Sequence, residues 1–178
     1  MSGLSSMGRL AAAPGTAAAG ARLSAVTHSA EETRALGIAV GALLVAGDVV
    51  LLAGGLGAGK TELTKGIAAA LGVKGAVLSP TFTLAQRHDG RVPLLHVDVY
   101  RLDRVQELID LGLEEDLDES VTVVEWGDVV AAHLPRERLE VRLDRCTDDN
   151  DRQVTVSPEG PSWHARAGDL ERVLRRTT

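Results

Sequence analysis

Asp48-Val-Val-Leu-Leu-Ala-Gly-Gly-Leu-Gly-Ala-Gly-Lys-Thr61 (DVVLLAGGLGAGKT, residues 48–61) falls into two halves. Residues 48–53 form a short, unbroken apolar run rich in β-branched side chains, the pattern of a parallel strand covered on both faces. Gly54 to Thr61 matches G-x-x-x-x-G-K-[ST] at every fixed position. Glycines there let the backbone curl until its N–H groups face inward around anionic oxygens, while the next helix points its positive end at the same place. Lys60 would then reach the β- and γ-phosphates, and the Thr61 hydroxyl would ligate magnesium. The bland alternative, a glycine-rich turn that binds nothing, leaves its position between a buried strand and a helix unexplained.

The text on either side supports a layered α/β domain. Ser29-Ala30-Glu31-Glu32 has the S-x-x-E form of a capping box, and the apolar spacing after it predicts a helix over 30–45. A second helix is expected from Lys60 or Thr61 to about Leu71, ended by Gly72. Strands are expected over 81–87, 92–100 and 121–125, with helical text over 103–118. Two further strands are expected near 139–143 and 153–156, and an amphipathic helix over 162–176. The fold class is a three-layer P-loop NTPase-like domain with a mainly parallel central sheet.

Composition narrows the function classes. The chain has 178 residues, 44% of them hydrophobic and 2% aromatic, which suits one domain cored by Val, Leu, Ile and Ala. Residues 1–22, rich in Ala, Gly and Ser and broken by Pro14 and Gly15, are expected to be a disordered leader ahead of a single domain over 23–178. A formal charge of −6 disfavours broad phosphate neutralisation on nucleic acid. The lone Cys146 has no partner for an internal disulfide, and a reducing, cytoplasmic setting is expected. No stretch reaches the roughly 18 apolar residues that span a bilayer, so no membrane partner is expected.

A magnesium–triphosphate site also needs carboxylates and a group that orients the attacking water. Glu125 closes the apolar run Val121-Thr122-Val123-Val124, which would leave its carboxylate at the C-terminal edge of the sheet. Asp98, within His96-Val97-Asp98-Val99-Tyr100, suits the same chemistry, or a strand-end acid satisfied by backbone N–H groups. His96 and Asp98 share a strand face, yet with no third ligand His96 is expected to be a hydrogen-bonded core residue. Ser79-Pro80-Thr81-Phe82-Thr83 reads either as a switch-like segment or as a turn entering a strand.

Four blocks in order resemble the small bacterial ATPase family TsaE, also called YjeE, which serves tRNA threonylcarbamoyladenosine synthesis. They are GxLGAGKT at 54–61, SPTFTL at 79–84, HVDVYRL at 96–102 and VEWGD at 124–128. The resemblance covers roughly residues 24–158. It implies an ATP- and magnesium-dependent ATPase that works with the TsaB and TsaD proteins and meets tRNA only through their complex, with hydrolysis resetting that complex between cycles. By position it implies catalytic roles for Lys60, Asp98 and Glu125, with Thr61, Glu125 and Asp98 near the metal. Nucleotide contacts are implied for Gly55, Leu56, Gly57, Ala58, Gly59, Lys60, Thr61, Glu62, Trp126 and Arg152. Trp126 suits either a nucleotide or partner anchor or an apolar plug. Gly55 replaces the family's usual acidic residue, and Glu62 stands where relatives often carry a second Thr, adding negative charge expected to weaken ATP binding modestly.

Two other classes compete. A P-loop kinase of a small metabolite or nucleoside would share the loop but commonly needs an arginine-bearing lid, and Arg87, Arg91, Arg101 and Arg104 are scattered. A nucleotide-regulated binding module would hold ATP without turning it over. Arg166, Arg172, Arg175 and Arg176 suit either RNA contact or the dipole of a helix end.

Overall fold

The computed structural model of the chain describes residues 22–80, 84–100 and 114–177. Its strands are β1 (Leu23–Thr27), β2 (Val49–Ala53), β3 (Ala85–His88), β4 (Leu94–Asp98), β5 (Val121–Glu125), β6 (Arg138–Arg145) and β7 (Arg152–Glu159). Its helices are α1 (Ala30–Gly41), α2 (Lys60–Ala70), α3 (Glu114–Glu119) and α4 (Pro161–Thr177), with two short 3-10 turns at Gly127–Val129 and Ala131–His133. The sheet has seven strands in the order β1-β7-β6-β2-β5-β4-β3.

β2 owes its central place to its text. Val49, Val50, Leu51 and Leu52 are all buried, so both faces need cover, and the strand pairs in parallel with β5 on one side and β6 on the other. β5 in turn pairs in parallel with β4, which sets Asp98 directly across from Glu125. The centre is parallel as expected. The flanks are antiparallel: short polar connections join β6 to β7 and β3 to β4, whereas β1 comes from the far end of the chain to pair with β7.

Alternate β2 residues feed two cores. Val50 and Leu52 face Leu36 and Val40 of α1, Leu63 and Ile67 of α2, and Trp163, Leu170 and Leu174 of α4. Val49 and Leu51 face Leu95, Val97, Val124 and Val130, with Leu117 of α3 and Leu134 packed against them. Each fully buried Leu or Val contributes about 1.5–3 kcal/mol of transfer free energy, so this two-sided burial holds the sheet's centre in place.

The capping box forms with a shift of one residue. Ser29 Oγ accepts from the Glu32 amide at 3.1 Å, while the Glu32 carboxylate accepts from the amide of His28 at 2.7 Å. α1 stops at Gly41, short of the expected Val45, because Asp48 captures the Val45 amide at 2.9 Å and Gly47 turns the chain at φ +91°. Strand β1 escapes the sequence reading altogether. Of the helical text over 103–118, residues 103–113 lie outside the described residues, as do Thr81, Phe82 and Thr83.

Two features tie the helices to the sheet. Gly37 of α1 and Gly66 of α2 let the helices touch backbone to backbone: a Cβ at Gly66 would lie 2.1 Å from the Arg34 carbonyl oxygen and 2.8 Å from the Gly37 Cα. At the far end of β2, the Arg166 guanidinium binds both oxygens of Asp48, at 2.6 and 2.7 Å, and lies over the Trp163 ring. Arg172 and Arg175 pair with Asp169 and Glu171 on their own helix. Three of the four α4 arginines are therefore engaged within the chain, which favours a structural reading of them over RNA contact.

Gly66→Ala is expected to destabilise the fold by about 1–3 kcal/mol through overpacking against backbone. Gly168→Ala, on α4 with open space around it, is expected to stabilise by up to about 1 kcal/mol; urea unfolding of both variants measures the contrast. A second expectation concerns pH. Exposed His28 pairs with Asp151 at 2.9 Å, joining the start of α1 to the β6–β7 hairpin. That hydrogen bond and the Asp151 charge hold the imidazolium above its ordinary value of 6.5, aided by Glu32 and Asp148. A raised native pKa stabilises the protonated fold, fully so below pH 6.5, and the gain fades as pH rises through the raised value. The melting-temperature advantage of the wild type over His28→Ala is therefore expected in mildly acidic buffer and to shrink in alkaline buffer.

Candidate functional site

At the C-terminal end of β2 the backbone leaves no room for a side chain at Gly54. A Cβ at Gly54 would sit 2.2 Å from the Leu143 carbonyl oxygen, and Gly54, Gly57 and Gly59 all have positive φ. The loop closes on itself through the Ala58 amide to the Gly55 carbonyl at 3.2 Å. α2 begins at Lys60 with Gly59 as its cap, so the first-turn N–H groups open into the loop.

Lys60 is only 5% exposed. Its Nζ donates to the carbonyl oxygens of Gly54 (2.8 Å) and Gly55 (2.9 Å), and it lies 3.7 Å from the centre of the Trp126 ring. Burial pushes this ammonium below its ordinary value, against the pull of Glu125, Asp98 and Asp128. Trp126 takes up that position in a left-handed backbone conformation, φ +62°, a costly choice for a bulky residue. Tyr100 packs beside it, ring centres 4.8 Å apart.

Two acids complete the floor. Glu125, 2% exposed, accepts from the Thr61 hydroxyl at 3.0 Å on Oε2 and from His96 Nε2 at 2.9 Å on Oε1. The sequence alternative of an exposed strand terminus is thereby excluded, and His96 is the hydrogen-bonded core residue expected. Asp98, 7% exposed, accepts from the Ser79 hydroxyl on Oδ2 and from the Tyr100 amide on Oδ1 at 3.0 Å. Like charges opposite one another across strands are unfavourable unless a cation lies near both. The oxygen donors of Thr61, Asp98 and Glu125 form a hard, anionic set, which fits magnesium holding several waters of its own.

A cleft of about 570 Å³ collects Leu56 to Glu62 with Ser79, Asp98, Tyr100, Glu125 and Trp126. Leu56 at its lip is 77% exposed. Two expected residues stand apart from the cleft walls. Gly55 contributes its carbonyl to Lys60, and Arg152 braces the outer side of the loop, donating to the carbonyls of Ala58 (3.0 Å) and Gly57 (3.3 Å). Arg152 lines a separate cavity of about 190 Å³ with Ser29, Thr33 and Asn150.

Glu62 is among the residues that line the cleft. Burial works to raise its carboxyl, but hydrogen bonds from Lys65 and Arg34, at 2.6 and 2.5 Å, outweigh that and hold it low. Its charge is thus matched by two cations, Arg34 of α1 and Lys65 of α2. The sequence reading missed Thr64, whose hydroxyl lies 3.4 Å from Glu125 Oε1; its i, i+3 spacing from Thr61 was the available signal. Tyr100 beside Trp126 had none, since their adjacency arises from the β4–β5 pairing.

Comparison with known proteins places this geometry. The family model described as threonylcarbamoyl adenosine biosynthesis protein TsaE matches residues 27–154. Proteins named tRNA threonylcarbamoyladenosine biosynthesis protein TsaE are similar along most of their length. The relative from Streptomyces coelicolor is 49% identical over 138 residues, 73% of this chain and 93% of its own. That from Mycobacterium tuberculosis is 48% identical over 137 residues, 71% of this chain and 82% of its own. That from Bacillus subtilis is 41% identical over 148 residues, 82% and 92% respectively. The crystal structure of Bacillus subtilis YdiB superposes with a TM-score of 0.75 at 36% identity, covering 88% of this chain and 98% of that one. This chain belongs to the TsaE family.

Proposed function

We propose that this chain binds and hydrolyses ATP, with magnesium, as the ATPase that sustains threonylcarbamoyl modification of adenosine in tRNA. In this reading it is a cytoplasmic protein that acts with TsaB and TsaD and meets tRNA only through their complex. Residues 23–178 form its one domain, with 1–22 as a leader outside it. The observation that carries the reading is the convergence of Lys60, Thr61, Asp98 and Glu125 at the open end of a glycine loop. The names of the relatives support the pathway. Among the described residues no helix is long and apolar enough to cross a membrane.

The roles follow from position. Main-chain N–H groups of Gly57, Gly59, Lys60 and Thr61 face the phosphates, Glu62 lines the cleft beside them, and Arg152 holds the loop from outside. Lys60 already lies among carbonyl oxygens, so its ammonium needs only to share its remaining N–H with a phosphate oxygen. Thr61 keeps its proton on Glu125 and presents lone pairs outward. Asp98 and Glu125 hold hydrogen-bond acceptors at the cleft floor, where a water is to be oriented. Trp126 gives Lys60 an aromatic face and shields it from solvent. Magnesium, when bound, neutralises phosphate charge and fixes the orientation of the phosphate oxygens.

Magnesium-dependent ADP release is expected to be weak for the chain alone and stimulated by the TsaB–TsaD pair. Lys60→Ala is expected to lower it by roughly 10²–10³-fold with a native circular dichroism spectrum. Full turnover by that variant in its folded form contradicts the assignment.

A further inference from the structure

The Thr61 hydroxyl accounts for one Glu125 oxygen, and the His96 contact accounts for the other only if the ring carries its proton on Nε2. His96 lies on β4, beside Val123 of β5, and has no exposed surface. Its Nε2 is 2.9 Å from Glu125 Oε1. The second candidate donor to that oxygen is the Thr64 hydroxyl at 3.4 Å, but this hydroxyl lies 3.0 Å from the Lys60 carbonyl oxygen. A hydroxyl has one proton to donate, and the shorter contact, inside the first turn of α2, takes it. Histidine is therefore the group that satisfies Oε1.

The rest of the ring agrees. Nδ1 is buried and has no hydrogen-bond partner among the described residues. The tautomer with its proton on Nε2 leaves no buried N–H unpaired, whereas the opposite tautomer would strand one against apolar neighbours and remove the donor from Glu125. The His88 ring lies 6.4 Å away between centroids, and its own Nε2 is likewise without a partner among the described residues.

We propose that His96 is a positioning residue: by donating from Nε2 to Glu125 Oε1 it stops the carboxylate from rotating and keeps Oε2 turned to Thr61 and the cleft. The carboxyl torsion of a glutamate is broad and roughly two-fold, so a buried Glu125 without this partner would exchange its oxygens or tilt toward other donors. A rigid ring reaching across one strand gap delivers a single N–H at a fixed angle. The part of this that concerns magnesium rests on the proposed function; the hydrogen bond and tautomer do not.

The test uses the full chain as wild type, His96→Leu and His96→Gln, the last keeping an N–H donor at similar reach. ATP affinity is measured by calorimetry in EDTA and in magnesium, with thermal unfolding alongside. His96→Leu is expected to lose roughly 10–100-fold of the tightening that magnesium confers, as supporting residues of metal ligands do, while affinity in EDTA holds. His96→Gln is expected to recover most of it. Nitrogen-15 chemical shifts of His96 without ligand are expected to show a protonated Nε2 and a bare Nδ1.

Equal losses in EDTA and magnesium would mean a merely structural residue and overturn the proposal, as would a glutamine variant no better than leucine. A proton on Nδ1 overturns it independently of any ligand. Should His96→Leu fail to fold, the glutamine variant and the nitrogen shifts still decide. A wild type indifferent to ATP would defeat the nucleotide reading, while the shifts report on the hydrogen bond regardless.

Discussion

A carboxylate removed from water needs donors on every side, and Glu125 is where this molecule meets that demand. The cost of burying an isolated charge runs to several kcal/mol even after relaxation. Here the charge is met by hydrogen bonds from His96 of β4 and Thr61 of α2, and by the Lys60 ammonium close by. Those partners come from different elements, so the buried acid finds its donors only when β4, β5 and α2 are all assembled. The sheet's central order and the start of α2 are specified by the same polar contact that equips the cleft.

Two packing constraints make that assembly precise enough to use. Burial of β2 on both faces leaves it one place in the sheet, between β5 and β6. The glycine-to-glycine contact between α1 and α2 then fixes how deep α2 lies. It brings Thr33 to within 3.5 Å of where a Gly59 side chain would begin, so the loop is backed by α1 as well as by β6. A loop with so little freedom has lost much of its ordering entropy before any ligand arrives.

Much of this was readable in the residues because the relevant signals are local. The apolar runs 48–53 and 121–125 and the glycine pattern each carry their meaning within a few positions; the structure reproduces the second strand as read and begins the first one residue later, at Val49. The capping box is local too. What escaped was set by pairing across the chain. β1 is a five-residue edge strand that pairs with β7 from the far end of the chain. The β6–β7 and β3–β4 flanks depend on which neighbours connect by short turns. Glu62 looked like surplus charge because Arg34, which neutralises it, lies 28 positions away. His96 was legible as a core residue, but its partner became identifiable only once β4 and β5 stood side by side.

The Asp48–Arg166 contact bears on how short this protein could become. The family match ends at residue 154, before α4 begins. Trimming to that point would strip β7 of its last residues and uncover the pocket that Trp163, Leu170 and Leu174 fill. It would also take the Arg166 guanidinium away from the Asp48 carboxylate at the root of the strand that carries the glycine loop. The C-terminal helix is thus a keystone of the domain, although the recognisable family segment stops short of it.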